Sequence, residues 1–166
     1  MEFEEFMAAR LPALLRYAAV LTGDRDLAQD VVQDAMVRAH ARWRRIGRMD
    51  RPELYVRRMV TTQFLSWRRR GAVARTTLVS DGDALDRPVP DIATAAVDRD
   101  DVLRLLATLP RRQRTVLVLR YYEGLTDAEI AEVLDCAQGT VRGYIARAMA
   151  ALRATAGTSH TEGTRS

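Results

Sequence analysis

The stretch TDAEIAEVLDCAQGTVRGYIARAMAAL, residues 126–152, predicts two helices joined by a tight turn. Thr126 and Glu129 form a T-x-x-E capping box, which places the start of the first helix at Asp127. Residues 135–137 interrupt the helical pattern, and a second, longer helix follows them. Its apolar residues recur at spacings of three and four and define one buried side, made of Val141, Ile145, Ala148 and Leu152.

The other side of the second helix is expected to be polar and to face outward, with Gln138, Thr140, Arg142 and Arg147 as members. A short helix, a three-residue break and a longer helix with polar and Arg residues near its start form the helix-turn-helix pattern, whose second helix enters the major groove of DNA. Any two amphipathic helices can also pack as an ordinary hairpin. The spacing alone therefore leaves DNA binding and simple helix packing as equal alternatives.

The composition of the 166-residue chain excludes several classes of protein. Hydrophobic residues make up 48% of the chain, enough for compact cores, whereas 29% charged residues argue against a membrane protein. No run of about 18 apolar residues occurs, so no membrane insertion is expected. The acidic start MEFEE is unlike a secretory signal, and the single Cys136 excludes an internal disulfide and a multi-cysteine zinc site. We therefore expect a cytoplasmic protein.

Positive charge is concentrated in one segment. Residues 35–75 contain twelve Arg and two acidic residues, a net charge of +10, whereas the whole chain carries +4. The chain contains no Lys, and because Ala is abundant we attribute the exclusive use of Arg to genomic base composition. The clustering is informative, since ten like charges repel one another without an anionic partner.

Helical periodicity runs through the first 70 residues. The first helix has Pro12 inside its pattern, which predicts either a kink or a later start. A second helix spans about 24–43, residues 44–51 are expected to form a short Arg-rich loop, and a third helix spans about 52–70.

The second and third helices carry opposite charges. The outer side of the second helix is an acidic stripe, a pattern that is usually only a solvated face. The third helix is basic and interleaved with aromatic residues, which suits single-stranded nucleic acid because bases stack and phosphates need countercharge. For Phe64 and Trp67 themselves we favour a plain core position.

We predict an all-α fold of two small helical domains joined by a flexible acidic linker, with the helix-turn-helix in the second domain. The first domain covers residues 1–70, the linker 71–97 and the second domain 98–156, and residues 157–166 are expected to be a disordered tail. Two domains that each carry a basic surface imply a ligand with two separated sites.

Three motifs, in this order, resemble those of the extracytoplasmic-function sigma factors, the smallest members of the bacterial sigma-70 family. They are LTGDRDLAQDVVQDAMVRAHARW (21–43), PELYVRRMVTTQFLSWRRR (52–70) and LPRRQRTVLVLRYYEGLTDAEIAEVLDCAQGTVRGYIARAMAAL (109–152). The resemblance extends from about Phe6 to Leu152 and is interrupted only in the linker.

The first domain resembles sigma region 2, in which the helix matching 25–43 docks on a coiled coil of core RNA polymerase. The resemblance implies that the acidic stripe binds core polymerase through Asp26, Asp30, Gln33 and Asp34. The helix at 52–70 and the preceding loop resemble the part that captures unstacked bases of the melted minus-ten promoter element. The DNA contacts implied for this part are Arg45, Arg57, Arg58, Thr62, Arg68 and Arg69.

The second domain resembles sigma region 4, whose recognition helix reads the minus-thirty-five promoter element as duplex. The DNA-facing positions it implies are Gln138, Thr140, Arg142 and Arg147, with Arg142 the leading candidate for a base or phosphate contact. The family suggests an anti-sigma factor as a further partner. It implies no cofactor, no metal and no enzymatic role, because the polymerase supplies the chemistry.

The chain departs from the family pattern at four positions. Thr62 and Ser66 stand where Asn and Asp are common, which puts the promoter-melting contacts in question. Asp135 replaces the usual Gly of the turn, but Asp tolerates a left-handed backbone, so the turn should survive. Ala137 lacks the capping side chain common there, at a cost of about 1 kcal/mol to the recognition helix.

Two other functions are kept as alternatives. A helix-turn-helix regulator that binds DNA without polymerase would leave the first domain unexplained. A sigma-like module that only binds a protein partner would be expected to lack a basic surface, and residues 44–70 argue against it.

Overall fold

The computed structural model describes residues 1–74 and 98–159, and it describes the side chains of this part except at 67–74, 98–99, 156 and 158–159. All regular structure in these residues is helical, which confirms the all-α prediction. The elements are α1 Phe3–Thr22, α2 Arg25–Ala41, α3 Trp43–Ile46, α4 Pro52–Ala74, α5 Asp98–Ala107, α6 Arg111–Leu117, a π-helical segment Val118–Tyr122, α7 Asp127–Leu134 and α8 Gln138–Ser159.

The first half of the chain, residues 1–74, is built from α1, α2 and α4 packed against one another. Gly23 ends α1 with a left-handed φ of 69°, and the Asp24 side chain then accepts hydrogen bonds from the backbone N–H groups of Asp26 and Leu27. These two local signals make the sharp turn that brings α2 back along α1. The core of this half includes Phe6, Tyr17, Leu21, Val31, Val32, Val60 and Phe64.

The second half, residues 98–159, places α6 and α7 against α8. The predicted capping box is present: the Thr126 N–H donates to Glu129 at 2.9 Å, and the Glu129 N–H donates to the Thr126 hydroxyl at 3.3 Å. Asp135 ends α7 in the left-handed region, with φ 54° and ψ 54°, as expected. Val141 and Ala148 are buried, so α8 turns the predicted apolar side inward.

The two halves pack directly on each other. Helix α4 contacts α6 and α7, and α1 contacts the π-helical segment. One apolar cluster is continuous across this boundary, since it contains Phe64 and Val60 together with Leu119 and Ile130. The division into two domains therefore remains a prediction, and residues 75–97 of the predicted linker lie outside the described part.

The structure corrects the expected loop and three helix boundaries. Residues 43–46, in and beside the expected loop, form the short helix α3, while α4 continues past Arg70 to Ala74. Helix α1 begins at Phe3 and contains Pro12, so the later start is wrong. Helix α8 reaches Ser159, three residues into the expected tail, and the remainder of that tail lies outside the described residues. No helix in the described ranges is long and apolar enough to cross a membrane.

Candidate functional site

The acidic face of α2 is a continuous exposed surface. Val31, Val32 and Ala35 are buried against the core, and this orientation leaves the polar positions between them in solvent. All four predicted residues are exposed, namely Asp26, Asp30, Gln33 and Asp34. One of them also has a structural partner, because the Gln63 side-chain amide on α4 donates to the Asp34 carboxylate at 2.9 Å.

The basic residues predicted to meet the minus-ten element fall into two groups. Arg45 on α3 and Thr62 on α4 are exposed and free to meet a large ligand. Arg57 and Arg58 instead face the second half, where they pair with Glu123 at 2.6 Å and with Asp135 at 3.5 Å. Arg68 and Arg69 belong to α4, and their side chains lie outside the described part of the structure.

The segment between α3 and α4 is shaped by Trp43. Its indole N–H donates to the Met1 carbonyl at 3.0 Å, and its ring contacts Phe3 and Phe6 at centroid distances of 5.3 and 4.8 Å. A Cβ built on Gly47 would lie 3.0 Å from the Trp43 ring nitrogen, so glycine lets the chain pass close to the indole. The position of the Arg-rich segment thus depends on an aromatic cluster, a feature that periodicity did not indicate.

Helix α8 presents the polar face that the sequence predicted. Gln138, Thr140 and Arg142 are exposed in its first turns, beside the left-handed residue Asp135. Arg147 is also exposed, and its guanidinium lies 5.1 Å from the centre of the Tyr144 ring, a cation–π distance. The four predicted residues therefore share one exposed helix with its apolar side on the core.

Other arginines of the second half have structural roles. Arg120 pairs with Asp127 at 2.6 Å and so ties the π-helical segment to the start of α7. Arg111 donates to the Phe64 carbonyl at 2.9 Å, and Arg114 donates to the Leu21 carbonyl at 3.3 Å, both across the boundary between the halves. Burial lowers the pKa of Arg114 from its usual value. Composition did not distinguish these arginines from those expected to contact DNA.

Three acids of the second half lie opposite the basic segment, and sequence reasoning did not assign them to the site. Glu129 pairs with Arg51 at 2.6 Å, in addition to the Arg57–Glu123 and Arg58–Asp135 pairs. Hydrogen bonding to the Thr126 backbone and then to Arg51 lowers the pKa of Glu129. Burial raises the pKa of Glu123, and the nearby Arg57 only partly offsets this effect.

Groups of three or more His, Cys, Asp or Glu side chains that could hold a metal ion are absent from the described part of the chain. The chemistry available at these surfaces is ion pairing, hydrogen bonding and aromatic stacking. Such surfaces suit the binding of macromolecules. The acidic face of α2 is complementary to a basic partner, and the basic and polar groups of α3, α4 and α8 are complementary to a polyanion.

Comparison with known families gives two separate matches. The family described as sigma-70 region 2 matches residues 6–73, and the family described as sigma-70, region 4 matches residues 99–152. Together the matches include every described helix except the start of α1, the last residue of α4, the first residue of α5 and the end of α8.

Curated proteins give similar results. RNA polymerase sigma-E factor of Streptomyces avermitilis is 36% identical to this chain over 154 residues, which is 92% of this chain and 84% of that protein. The ECF RNA polymerase sigma factor SigL of Mycobacterium tuberculosis is 36% identical over 147 residues, which is 86% of this chain and 81% of the relative.

Two solved structures share the fold. The sigma factor RpoE of Bartonella quintana, solved in complex with the anti-sigma factor NepR, has a TM-score of 0.73 at 24% identity and covers 98% of both chains. The structure of CnrH with the cytosolic domain of CnrY has a TM-score of 0.63 at 23% identity and covers 94% of this chain and 88% of CnrH.

Proposed function

This chain belongs to the sigma-70 family, as a sigma factor of the extracytoplasmic-function type, and from this premise we propose which of its surfaces bind core polymerase and which bind promoter DNA. As a sigma factor it directs core RNA polymerase to specific promoters and initiates transcription. The observation that carries the assignment of surfaces is the separation of charge, with an exposed acidic face on α2 and exposed basic or polar groups on α3, α4 and α8.

We assign the binding of core polymerase to the acidic face of α2. Asp26, Asp30 and Gln33 are exposed on one side of a helix whose other side is buried, so a partner can contact them without unfolding the core. A basic surface on the polymerase would complement them.

We assign DNA binding to the two basic regions. Arg45 and Thr62 are exposed at α3 and α4 and would meet the melted minus-ten strand. Gln138, Thr140 and Arg142 lie in the first turns of α8, the part of a recognition helix that reaches base edges in the major groove. Arg147 lies one to two turns further along the helix and is suited to a phosphate contact.

The reaction itself is assigned to the polymerase, and the site of action to the cytoplasm, where transcription takes place. We also propose an anti-sigma factor as a protein partner; the support is that one fold neighbour was solved with the anti-sigma factor NepR, and the other with the cytosolic domain of a second protein, CnrY. Isolation of the chain from its native cell, identification of bound proteins and addition of each to a transcription assay would test this.

Transcription in vitro on genomic DNA, with core polymerase and with or without this chain, tests the assignments. We expect new RNA starts that depend on the chain and share a two-block upstream motif. Asp30→Arg should abolish binding to core polymerase, whereas the exposed control Glu4→Arg on α1 should not. Arg142→Ala should weaken binding to the upstream block, and Arg153→Ala, also exposed on α8 but near its end, should not.

Binding of duplex DNA by the chain alone, with no change in RNA starts, would favour an independent regulator. Absence of both activities would favour a module that binds only protein.

A further inference from the structure

One buried polar side chain contacts the acidic face of α2 from the core. Gln63 on α4 is only 2% exposed, yet its amide Nε2 donates a hydrogen bond of 2.9 Å to the Oδ2 atom of Asp34. This contact crosses the packing of α4 on α2. Asp34 is itself exposed, and its second oxygen, Oδ1, makes no hydrogen bond or ion pair within the described residues. One oxygen of the carboxylate is therefore held by the core, and the other is available to a partner.

Stability alone does not explain an amide at position 63. The Oε1 atom of Gln63 is buried and has no hydrogen-bond partner among the residues that the structure describes. A buried acceptor without a partner is unfavourable, and nearby residues of α4, Val60 and Phe64, are apolar and buried. Because an apolar side chain would suit this site better, the useful part of Gln63 is the donor at Nε2.

The donor is also neutral, which distinguishes Asp34 from several other carboxylates of the chain. Asp127, Glu123 and Glu129 are each paired with an arginine, whose charge offsets theirs. An amide N–H can orient a carboxylate without cancelling its negative charge. Asp34 is thus both oriented and anionic, as a contact with a basic partner surface requires.

We propose that Gln63 is a positioning residue for the binding of core polymerase: its amide holds Asp34 through Oδ2 and directs Oδ1 towards an arginine or lysine of the polymerase. The inference rests on the proposed role of the acidic face of α2, to which Asp34 belongs. An exposed aspartate that rotates freely loses side-chain entropy when it is bound. The hydrogen bond from Gln63 removes part of this loss before the polymerase arrives, so it strengthens binding without touching the polymerase.

A double-mutant cycle separates positioning from a merely structural role. Gln63→Met removes the donor and keeps an unbranched side chain in the core, whereas Asp34→Ala removes the carboxylate that is positioned. The affinity of each full-length variant for core polymerase would be measured by competition with labelled wild-type chain. Urea unfolding would verify that each variant is folded, and Gln63→Leu repeats the test with a second apolar side chain.

We expect Gln63→Met to weaken binding to core polymerase about fivefold, which corresponds to roughly 1 kcal/mol, without loss of stability. In the Asp34→Ala background the same change should have no effect, because no carboxylate remains to be positioned. In an Asp30→Ala background it should again weaken binding about fivefold, since Gln63 donates to Asp34. The control is Thr115→Val, which replaces a buried polar residue of the second half and should bind core polymerase like the wild type.

Unchanged affinity in Gln63→Met, together with weakened binding in Asp34→Ala, would overturn the positioning role. Equal losses from Gln63→Met in the wild-type and Asp34→Ala backgrounds would also overturn it, because a general disturbance of α2 acts whether or not the carboxylate is present. If Asp34→Ala itself bound core polymerase like the wild type, the assigned role of Asp34 would be wrong, and the inference would be overturned with it. The Asp34→Ala variant therefore distinguishes failure of the proposed function from failure of the inference alone.

Discussion

The guanidinium of Arg57 lies 2.6 Å from the carboxylate of Glu123, and the two side chains are only 17% and 12% exposed. The same guanidinium lies 5.9 Å from the centre of the Tyr17 ring, so Arg57 contacts α1 as well as the end of the π-helical segment. An arginine that the sequence predicts to contact DNA is therefore also part of the packing between the halves. Arg57 differs in this respect from its neighbour Arg58, whose partner Asp135 is exposed.

Arg57→Ala should destabilise the chain more than Arg58→Ala. Loss of Arg57 leaves the Glu123 carboxylate partly buried without its partner, which costs about 1–3 kcal/mol. Arg58 pairs with an exposed acid at 3.5 Å, and its loss should cost less than about 1 kcal/mol. Urea unfolding followed by circular dichroism measures both losses, and equal losses would show that the Arg57 pair contributes no more to stability than the exposed Arg58 pair.

Two of the three acids opposite the basic segment, Glu123 and Glu129, should affect the pH dependence of stability in opposite directions. Burial raises the pKa of Glu123 above the ordinary value of 4.5, so the folded chain takes up a proton there more readily than the unfolded chain does. The wild type should therefore gain stability relative to Glu123→Gln as the pH falls from neutral towards 4.5.

For Glu129 the sign is reversed. Hydrogen bonds from the Thr126 backbone and Arg51 lower its pKa below 4.5, so its contribution is complete at neutral pH and is lost as the pH falls through the lowered value. The loss of unfolding free energy in Glu129→Gln, relative to the wild type, should therefore be largest near pH 7 and should shrink below pH 4.5. Measurement of the unfolding free energy of the wild type and of both variants across this pH range tests the two opposite trends. Differences from the wild type that do not change with pH would contradict them.

Tyr17 and Thr61 should behave as a coupled pair in the core. Their hydroxyl oxygens lie 2.7 Å apart, and the Thr61 hydroxyl donates to the Arg57 carbonyl at 2.9 Å, so the Tyr17 hydroxyl is the donor between them. Burial raises the pKa of Tyr17 far above its usual value, and the neutral phenol is retained.

Tyr17→Phe leaves Thr61 bonded to the carbonyl and should cost about 1 kcal/mol. Thr61→Val leaves the buried Tyr17 hydroxyl without its acceptor and should cost about 1–3 kcal/mol. The double variant should cost less than the sum of the two, as measured by chemical unfolding in a double-mutant cycle. Additive losses would show that the hydroxyls do not interact.

The parts of the fold that sequence predicted are those fixed by neighbouring residues. The capping box of Thr126 and Glu129 and the left-handed Asp135 each depend on contacts within four residues, and both are present. The exposed faces of α2 and α8 followed from helical periodicity. The roles of those faces in binding remain predictions.

The contact between the halves could not be predicted because its partners are far apart in sequence. Arg57 and Glu123 look like ordinary surface residues in the sequence, and only the packing of α4 on α7, and of α1 on the π-helical segment, brings them together. Similarly, Arg114 belongs to a charged run in the sequence, yet its guanidinium bonds to the Leu21 carbonyl at the end of α1. Composition shows how many arginines a chain has, and tertiary structure decides which of them are available to DNA.

Asp135 provides a test of the turn that orients the recognition helix. Its φ of 54° lies in the left-handed region, which Gly and Asn adopt readily and which β-branched residues strongly disfavour. Asp135→Asn should therefore change stability little in its own right, and Asp135→Gly should be similar, whereas Asp135→Val should cost about 1–2 kcal/mol. Thermal unfolding at neutral pH measures these differences.

The backbone strain of a valine at position 135 should also displace the polar face of α8, because Gln138 lies only three residues after Asp135. Asp135→Val should weaken binding of minus-thirty-five duplex even where the protein remains folded, while Asp135→Asn should not. If the valine variant bound duplex as tightly as the asparagine variant at equal folded fraction, the left-handed turn would not control the position of the recognition helix.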